Sequence, residues 1–536
     1  MSGSRQESQS VVGRVTFGIS ATWLQSVATI LINVVQIPLF YRYLARDAFG
    51  AWMIFASIGV FLLLWDMGLG TTFARSMAYF RGARKGGAWS PSARPKGLPQ
   101  DMLRTVSVSY WFLAAVLYGA ALLGGRAYFG QLEFVTTPFR TIWQAWAIYA
   151  FGCALNIAAV APFHCLNGMG DVGIEQSLRT LFNLLALVAN VILLVSGAGI
   201  VALSVVFVAR GLGARAAAWA ILKRRHRWLF IDEGRVSFAC LRSMWRDCVR
   251  IFVTHLGAFL ILQTPGLVIA RFLGPERVPD FLSLWMVVQL GMMGSMAVGQ
   301  AVTPHAAAAY AAGERERLLR LHRNAARLSL FLMSLWSTGV LIWAREGMTL
   351  WVGTGHFLGY GVLGPMLVTG VLEVHHNVNA NFVWSAGRWP FAPWAVAAGL
   401  LNLGLGIWWV QTAGEAGMAR ATCVAQLLTN NWFAVYYALR RLEVPVGQYA
   451  RQVALPVVGV VACSGAVAMA VKTGFLRCLN FSGSVRGLPL TNAGALALGA
   501  PLTVLCGFAL FWRFGMDAGV RRAIRFQVLR LARRGA

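Results

Sequence analysis

Apolar stretches of about 20 residues recur along the chain between Phe17 and Phe514, and they constrain the fold more than any other feature. Each stretch is long enough to cross the hydrocarbon core of a bilayer, roughly 30 Å, as a single helix. Charged residues make up 12% of the chain, against about 25% in an average soluble protein. The sequence therefore predicts an all-α polytopic membrane protein.

These stretches predict fourteen transmembrane helices. Between the fifth and the sixth of them, only Gly197 and Gly199 indicate a turn. The predicted spans lie near 16–41, 49–73, 105–128, 142–166, 178–198, 200–222, 250–273, 281–303, 326–345, 358–385, 391–413, 417–438, 453–472 and 492–514.

The distribution of basic residues predicts the orientation. The chain has 47 Lys and Arg against 19 Asp and Glu, and most of the excess lies between the apolar stretches. If the N-terminus is cytoplasmic, basic residues favour the cytoplasmic side by about three to one, as the positive-inside rule requires. We therefore predict a multi-pass protein of the bacterial inner (plasma) membrane with both termini cytoplasmic. No nucleic-acid partner is expected, because no basic segment has a soluble domain to present it.

A weak internal repeat predicts two lobes. Segment 36–44 resembles segment 263–273, since each has a Gln-X-Pro triplet followed by Arg, an aromatic residue and Leu. Duplication of a six-helix unit would explain this similarity. The predicted organisation is an N-terminal lobe at 1–227 with helices one to six, a C-terminal lobe at 228–440 with helices seven to twelve, two additional helices at 441–515, and a basic amphipathic cytoplasmic tail at 516–536.

Two motifs near the N-terminus carry a family resemblance. They are the turn Leu-Ala-Arg-Asp-Ala-Phe-Gly at 44–50 and the signature Asp-Met-Gly-Leu-Gly at 66–70, with Arg75 beyond it. Here, and again over 269–280, the chain resembles the polysaccharide transport family, the O-antigen flippase-like branch of the MOP exporter superfamily. It departs from that family in the seventh span, where a Thr-Pro pair at 264–265 stands in place of the charged residue that relatives often carry.

The resemblance implies a two-lobed helical transporter with a central cavity that opens alternately to each side of the membrane. The implied substrate is a polyprenyl-diphosphate-linked oligosaccharide, moved from the cytoplasmic to the periplasmic leaflet during lipopolysaccharide or exopolysaccharide synthesis. The implied partners are this lipid-linked saccharide, membrane lipids, a polysaccharide polymerase and chain-assembly proteins. No cofactor is expected, and the cavity should be cationic because the diphosphate is anionic.

Polar side chains in the tenth predicted span share one face of the helix. Their spacing along the sequence places them within an arc of about 80° around the helix axis. A lipid-facing stripe of this kind would leave polar groups unsatisfied in hydrocarbon, so we predict that it lines water or substrate. The alternative is hydrogen bonding between helices. The residues of this tenth-span stripe are Glu373, Asn377, Asn381, Trp384 and Arg388.

Three charged residues complete the candidate substrate site. Arg210 lies near the middle of the sixth span, where its planar guanidinium could hold a diphosphate. The alternative is a structural ion pair with Glu373 or Asp66. Asp66 is expected to fix neighbouring helix ends. Arg75 lies on the opposite face of a straight helix from Asp66, and it is assigned to topology or to the inner mouth of the cavity.

Two other function classes remain open from the sequence. A cation-coupled drug exporter of the same superfamily would favour acidic groups in its cavity, whereas the candidates here lean basic. A membrane glycosyltransferase or polymerase would need paired carboxylates on the outer face, and the predicted outer loops carry only scattered single ones. No metal site is predicted, because His375 and His376 beside Glu373 are not joined by a further ligand cluster. The sequence therefore favours a transporter over an enzyme.

Overall fold

The structure, a computed structural model, describes residues 2–66, 68–84, 98–232, 234–386, 390–481, 489–516 and 521–522. All regular secondary structure in these ranges is helical, which confirms the predicted all-α class. The helices are α1 (Ser2–Tyr43), α2 (Arg46–Leu64), α3 (Leu69–Arg84), α4 (Pro99–Phe129), α5 (Phe139–Ala158), α6 (Ala161–Gly168), α7 (Val172–Val195), α8 (Gly199–Arg225), α9 (Phe238–Leu262), α10 (Thr264–Leu273), α11 (Val278–Ala311), α12 (Arg315–Val352), α13 (Tyr360–Ser385), α14 (Ala392–Leu428), α15 (Asn430–Leu442), α16 (Val446–Tyr449), α17 (Leu455–Phe481) and α18 (Pro489–Leu510). Shorter 3-10 or π turns cover Arg227–Phe230, Pro275–Arg277, Ala450–Ala454 and Phe511–Gly515.

The chain is a polytopic membrane protein with a helix at each of the fourteen predicted spans. Within the described residues, eleven helical segments are long and apolar enough to cross a bilayer. One of them, Ala392–Leu442, has 51 residues and covers both the eleventh and the twelfth prediction, with a kink at Gly414 (φ 58°). The tenth span corresponds to α13, whose polar side chains lower its hydropathy. The fourteenth corresponds to the shorter apolar segment Gly499–Gly515.

The fifth and sixth spans are separate helices, as the two glycines predicted. Gly197 and Gly199 both have positive φ angles, of 79° and 68°, which reverse the chain between α7 and α8. The N–H of Ala198 donates to the carbonyl of Leu193 at 2.9 Å, and this bond closes the end of α7. The reversal lets α7 and α8 pack against each other.

Tertiary contacts divide the chain into two compact units, unit 1 (Met1–Pro279) and unit 2 (Asp280–Ala536). This contact boundary lies later in the chain than the lobe boundary predicted at 227–228. Compactness and internal repetition are different properties, so the predicted lobe limits stay a prediction. The predicted tail at 516–536 lies almost entirely outside the described residues.

An aromatic cluster forms the centre of unit 1. The ring of Phe55 lies 5.3 Å from each of the rings of Phe129 and Trp146. The Trp146 indole is fully buried and donates to the carbonyl of Ala121 on α4 at 3.0 Å. Gly125 faces that indole, and a Cβ at this position would overlap the indole nitrogen. A glycine here therefore sets how closely α4 approaches α5.

Gly125→Ala is expected to lower the thermal unfolding midpoint of the detergent-purified protein, because overpacking against the fixed indole costs about 1–3 kcal/mol. The matched control is its neighbour on the same helix, Gly124→Ala. Gly124 is exposed, and a methyl group there would meet no atom within 4 Å, so alanine should gain about 0.5–1 kcal/mol of helix propensity. Equal midpoints for the two variants would contradict the close approach.

In unit 2, the two additional C-terminal helices pack on α12. Phe331 of α12 stacks on Phe511 with ring centroids 3.9 Å apart. Nearer the other end of α12, the ammonium of Lys472 on α17 pairs with Glu346 at 2.8 Å and lies 5.1 Å from the Trp343 ring. An aromatic stack and a largely buried ion pair therefore hold these helices in unit 2.

Candidate functional site

The signature at 66–70 breaks one predicted span into two helices. Gly68 has a φ of 71°, which ends α2 and starts α3 in a new direction. The Asp66 carboxylate accepts the N–H of Gly70 at 3.2 Å in the first turn of α3, and it also accepts the hydroxyl of Tyr110 on α4. Asp66 therefore fixes neighbouring helix ends, as the sequence indicated.

The same signature allows two helices of unit 1 to touch. A Cβ at Gly70 would overlap the imidazole of His164 on α6, and one at Gly168 would overlap the carbonyl of Ala74 on α3. His164 also stacks beside Tyr110, with centroids 6.4 Å apart. Gly70 of the motif and Gly168 of α6 thus allow α3 to pack closely on α6. Arg75 is exposed on α3.

Each unit has an aspartate that ties the start of a long helix to a loop. In unit 1, Asp47 is 2% exposed and accepts the N–H and hydroxyl groups of Thr136 and Thr137 at 2.6–2.8 Å. In unit 2, Asp280 lies 2.8 Å from the imidazole Nδ1 of His356. The first loop connects α4 to α5, and the second connects α12 to α13. Each aspartate follows one of the two similar segments, 36–44 and 263–273, and the duplication proposed for them stays a prediction.

Arg210 is a half-buried cation inside α8. Its Nη1 donates to the side-chain oxygen of Asn183 on α7 at 3.2 Å, and its guanidinium lies 5.0 Å from the Phe207 ring. In the described part of the chain, no carboxylate pairs with it. The alternative of an Asp66–Arg210 ion pair is therefore not what the structure contains, since Asp66 uses Tyr110 and Gly70 instead.

Two further arginines lie near Arg210, and both contact one buried ring. Arg179 of α7 and Arg215 of α8 lie 4.4 Å and 5.6 Å from the Phe163 ring of α6. Arg179 pairs with Glu175 at 3.0 Å. Sequence reasoning did not select Arg179 or Arg215. The helical-face count that found the tenth-span stripe would have found Arg179, because Glu175, Arg179 and Asn183 follow at the same spacing of four residues.

The tenth-span stripe lies on α13, which packs against α12, α14 and α15 in unit 2. Asn381 is 6% exposed and donates to Asn377 at 3.0 Å. The Glu373 carboxylate lies beside the side chain of Gln426 on α14. Trp384 is half-buried and packs against Phe391 at a centroid distance of 6.1 Å. Four members of the stripe are thus brought together on one helix.

The fifth member, Arg388, lies outside the described residues. Seven of the eight predicted site residues are consequently described, in two groups, one in each unit. Unit 1 contains Asp66, Arg75 and Arg210, and unit 2 contains Glu373, Asn377, Asn381 and Trp384.

A break between α14 and α15, two helices that pack on α13, carries buried carboxamides that the sequence analysis did not select. Thr429 leaves helical geometry (φ −122°, ψ −79°) between the two helices. Gln426, Asn430 and Asn431 flank this break and are nearly or fully buried. The imidazole Nδ1 of His376 lies 3.3 Å from the Asn430 carbonyl. Among the described residues, no group of three or more His, Cys, Asp or Glu side chains is arranged to hold a metal ion.

Solved structures with the same arrangement of helices are membrane transporters. The inward-facing conformation of a multidrug resistance MATE family transporter of the MOP superfamily has a TM-score of 0.63 at 13% identity, covering 78% of this chain and 94% of that one. The lipid II flippase MurJ, in an inward closed conformation, has a TM-score of 0.59 at 13% identity, covering 91% and 98%. The chain has the fold of MOP-superfamily transporters.

A third MOP-superfamily structure, from Pyrococcus furiosus, has a TM-score of 0.53 at 14% identity, covering 80% of this chain and 94% of that one. It is described as having a binding pocket of reverse polarity that suggests a different function. No protein-family model and no curated protein matches the sequence. The resemblance carried by the motifs at 44–50 and 66–70 is thus confirmed at the level of the MOP fold. The O-antigen flippase-like branch stays a prediction.

Proposed function

We propose that this MOP-fold protein is a flippase that moves a polyprenyl-diphosphate-linked oligosaccharide from the cytoplasmic to the periplasmic leaflet by alternating access. It would act in the bacterial inner membrane, with both termini cytoplasmic, and supply surface polysaccharide synthesis. Its partners would be the lipid-linked saccharide, membrane lipids, a polysaccharide polymerase and chain-assembly proteins. In this function Arg210 and the tenth-span stripe would contact the substrate, and the protein would form no covalent bond with it.

Arg210 is the observation that carries this proposal. A guanidinium inside a membrane-spanning helix is costly unless it has a function or a counter-charge. Here its partner is the neutral amide of Asn183, so the positive charge remains available to an anion. A diphosphate ester is such an anion, and guanidinium groups bind phosphate oxygens through paired hydrogen bonds.

A cation-coupled drug exporter is the second candidate. The Glu373 carboxylate of unit 2 favours it, because an acidic group inside the bilayer suits a cationic substrate or a coupling ion. The MATE-type neighbours have the same fold, but the excess of cations around Arg210 would repel a cationic drug. We therefore keep the flippase as the main proposal.

The deciding experiment is a clean deletion of the gene in a strain with no substitute transporter. We expect lipid-linked saccharide to accumulate on the cytoplasmic leaflet and surface polysaccharide to fall to background. The leaflet is read by the accessibility of the saccharide to a lectin or a glycosidase in oriented vesicles. Complementation with the intact gene is the control. Normal surface polysaccharide in the deletion strain would reject the flippase, and increased sensitivity to cationic drugs would favour the exporter.

A further inference from the structure

Helix α7 carries a polar stripe of its own inside unit 1. Glu175, Arg179, Asn183 and Asn190 are spaced so that they share an arc of about 80° on the helix. Glu175 and Asn190 are buried, with 5% and 7% exposure. α7 packs against α1, α6 and α8. A polar face of this length inside a membrane protein is retained where it has partners or a ligand.

Arginines from two helices meet along this stripe. Arg210 donates to Asn183, so its guanidinium reaches the middle of the stripe. Arg179 and Arg215 both lie against Phe163, a ring that is 1% exposed. Arg215 therefore lies close to the Arg179 end of the same stripe. Cation–π contact with a buried ring stabilises each guanidinium without neutralising it.

The charges of Arg179, Arg210, Arg215 and Glu175, which together form the arginine cluster, do not balance. Glu175 neutralises Arg179 at 3.0 Å. Across the described residues, no carboxylate pairs with Arg210 or Arg215, and the three guanidinium groups are close enough to repel one another. Excess positive charge in a low-dielectric interior is unfavourable unless water or an anion compensates it. The three arginine side chains are half-buried rather than fully buried.

The backbone fixes the orientation of Arg215. Its Nε donates to the carbonyl of Asn156 at 2.9 Å and its Nη1 to the carbonyl of Gly211 at 3.1 Å. Gly211 lets α8 approach α5 closely, since a Cβ there would overlap the Asn156 side chain. In the described structure, the Nη2 groups of Arg215 and Arg210 have no hydrogen-bond acceptor. Held guanidinium groups with N–H donors to spare are suited to phosphate oxygens.

We propose that Arg179, Arg210 and Arg215 form a phosphate-binding site within unit 1 and that this site holds the diphosphate of the lipid-linked substrate. The identity of the ligand rests on the proposed function, whereas the site itself rests on the charge imbalance. The other source of the same chemistry is the headgroup of an anionic phospholipid. The three side chains come from two helices, α7 and α8, so relative movement of these helices would change the affinity for phosphate.

The test measures binding to the full-length protein, purified in neutral detergent and then in nanodiscs, by calorimetry. The probes are inorganic pyrophosphate and farnesyl diphosphate. The first variant is the double substitution Glu175→Gln with Arg179→Gln, which removes the ion pair as a unit and so adds no new unpaired charge. The second is Arg215→Lys, which keeps the charge but loses the planar array of N–H donors of the guanidinium group. Arg224→Gln, at the exposed end of α8, is the matched control.

Both site variants should bind the two probes about tenfold or more weakly, while Arg224→Gln binds them as the wild type does. Wild-type affinity in both variants would overturn the site. Nanodiscs of phosphatidylglycerol and of phosphatidylcholine separate the two sources of phosphate. If phosphatidylglycerol alone abolishes farnesyl diphosphate binding, the site holds a lipid headgroup and the substrate assignment is overturned. Site-dependent binding together with normal surface polysaccharide in the deletion strain would uphold the site and reject the flippase.

Discussion

Arg210→Ala is expected to abolish transport while the protein still inserts and folds. The side chain is proposed to give the diphosphate two charge-assisted hydrogen bonds of about 1.5–3 kcal/mol each, so their loss lowers the transport rate by about a hundredfold or more. Folding should survive because the partner left behind, Asn183, is a half-buried neutral amide. The measurement is translocation of lipid-linked saccharide between the two leaflets of proteoliposomes. Complementation of the deletion strain is the cellular readout.

Arg210→Lys makes this prediction specific. An ammonium keeps the charge but lacks the planar fork and the stacking on Phe207, so we expect it to recover little activity. The matched control is Arg224→Ala, an exposed arginine at the end of the same helix, which should transport as the wild type does. Full activity of Arg210→Ala would remove this residue from the substrate site.

The double substitution Asn377→Leu with Asn381→Leu is expected to block transport without preventing insertion. The two amides bond to each other at 3.0 Å, so replacing both leaves no unpaired partner behind. A saccharide head group carries many hydroxyls, and each one that loses water without a replacement costs about 1–3 kcal/mol. Removing the polar stripe would therefore stop head-group passage. The measurement is again translocation of the lipid-linked saccharide between leaflets, with the thermal unfolding midpoint recorded in parallel.

The single variant Asn377→Leu separates the two interpretations of the tenth-span stripe. It leaves the Asn381 amide, which is 6% exposed, without its acceptor, so it should lower the unfolding midpoint more than the double variant does. If the stripe only joins helices, the double variant will transport normally and only the single variant will be impaired. Transport by the double variant at the wild-type rate would therefore assign these asparagines to helix packing.

The candidate site was predicted from sequence only in part. Arg210, Asp66 and the tenth-span stripe were found because a charged or amide side chain inside an apolar span is visible in the sequence itself. The residues that lie beside Arg210 were not predicted from the sequence. Arg179 lies near the end of its predicted span, where arginine is common and carries little information. Arg215 lies within its span, but farther from the middle than Arg210. Their contact with Phe163 depends on how α6, α7 and α8 are rotated, and hydropathy does not encode that rotation.

The sequence by itself determined the membrane class, the positions of fourteen helices and the turn at Gly197 and Gly199. These properties are local, because each depends on the hydropathy of about 20 neighbouring residues or on the backbone freedom of a single glycine. Only the tertiary structure decided which polar groups meet. Asp47 is bonded to Thr136, 89 residues away, and Arg210 to Asn183 on another helix. Such pairs form because packing fixes the rotation and depth of each helix, and many residues together determine that packing.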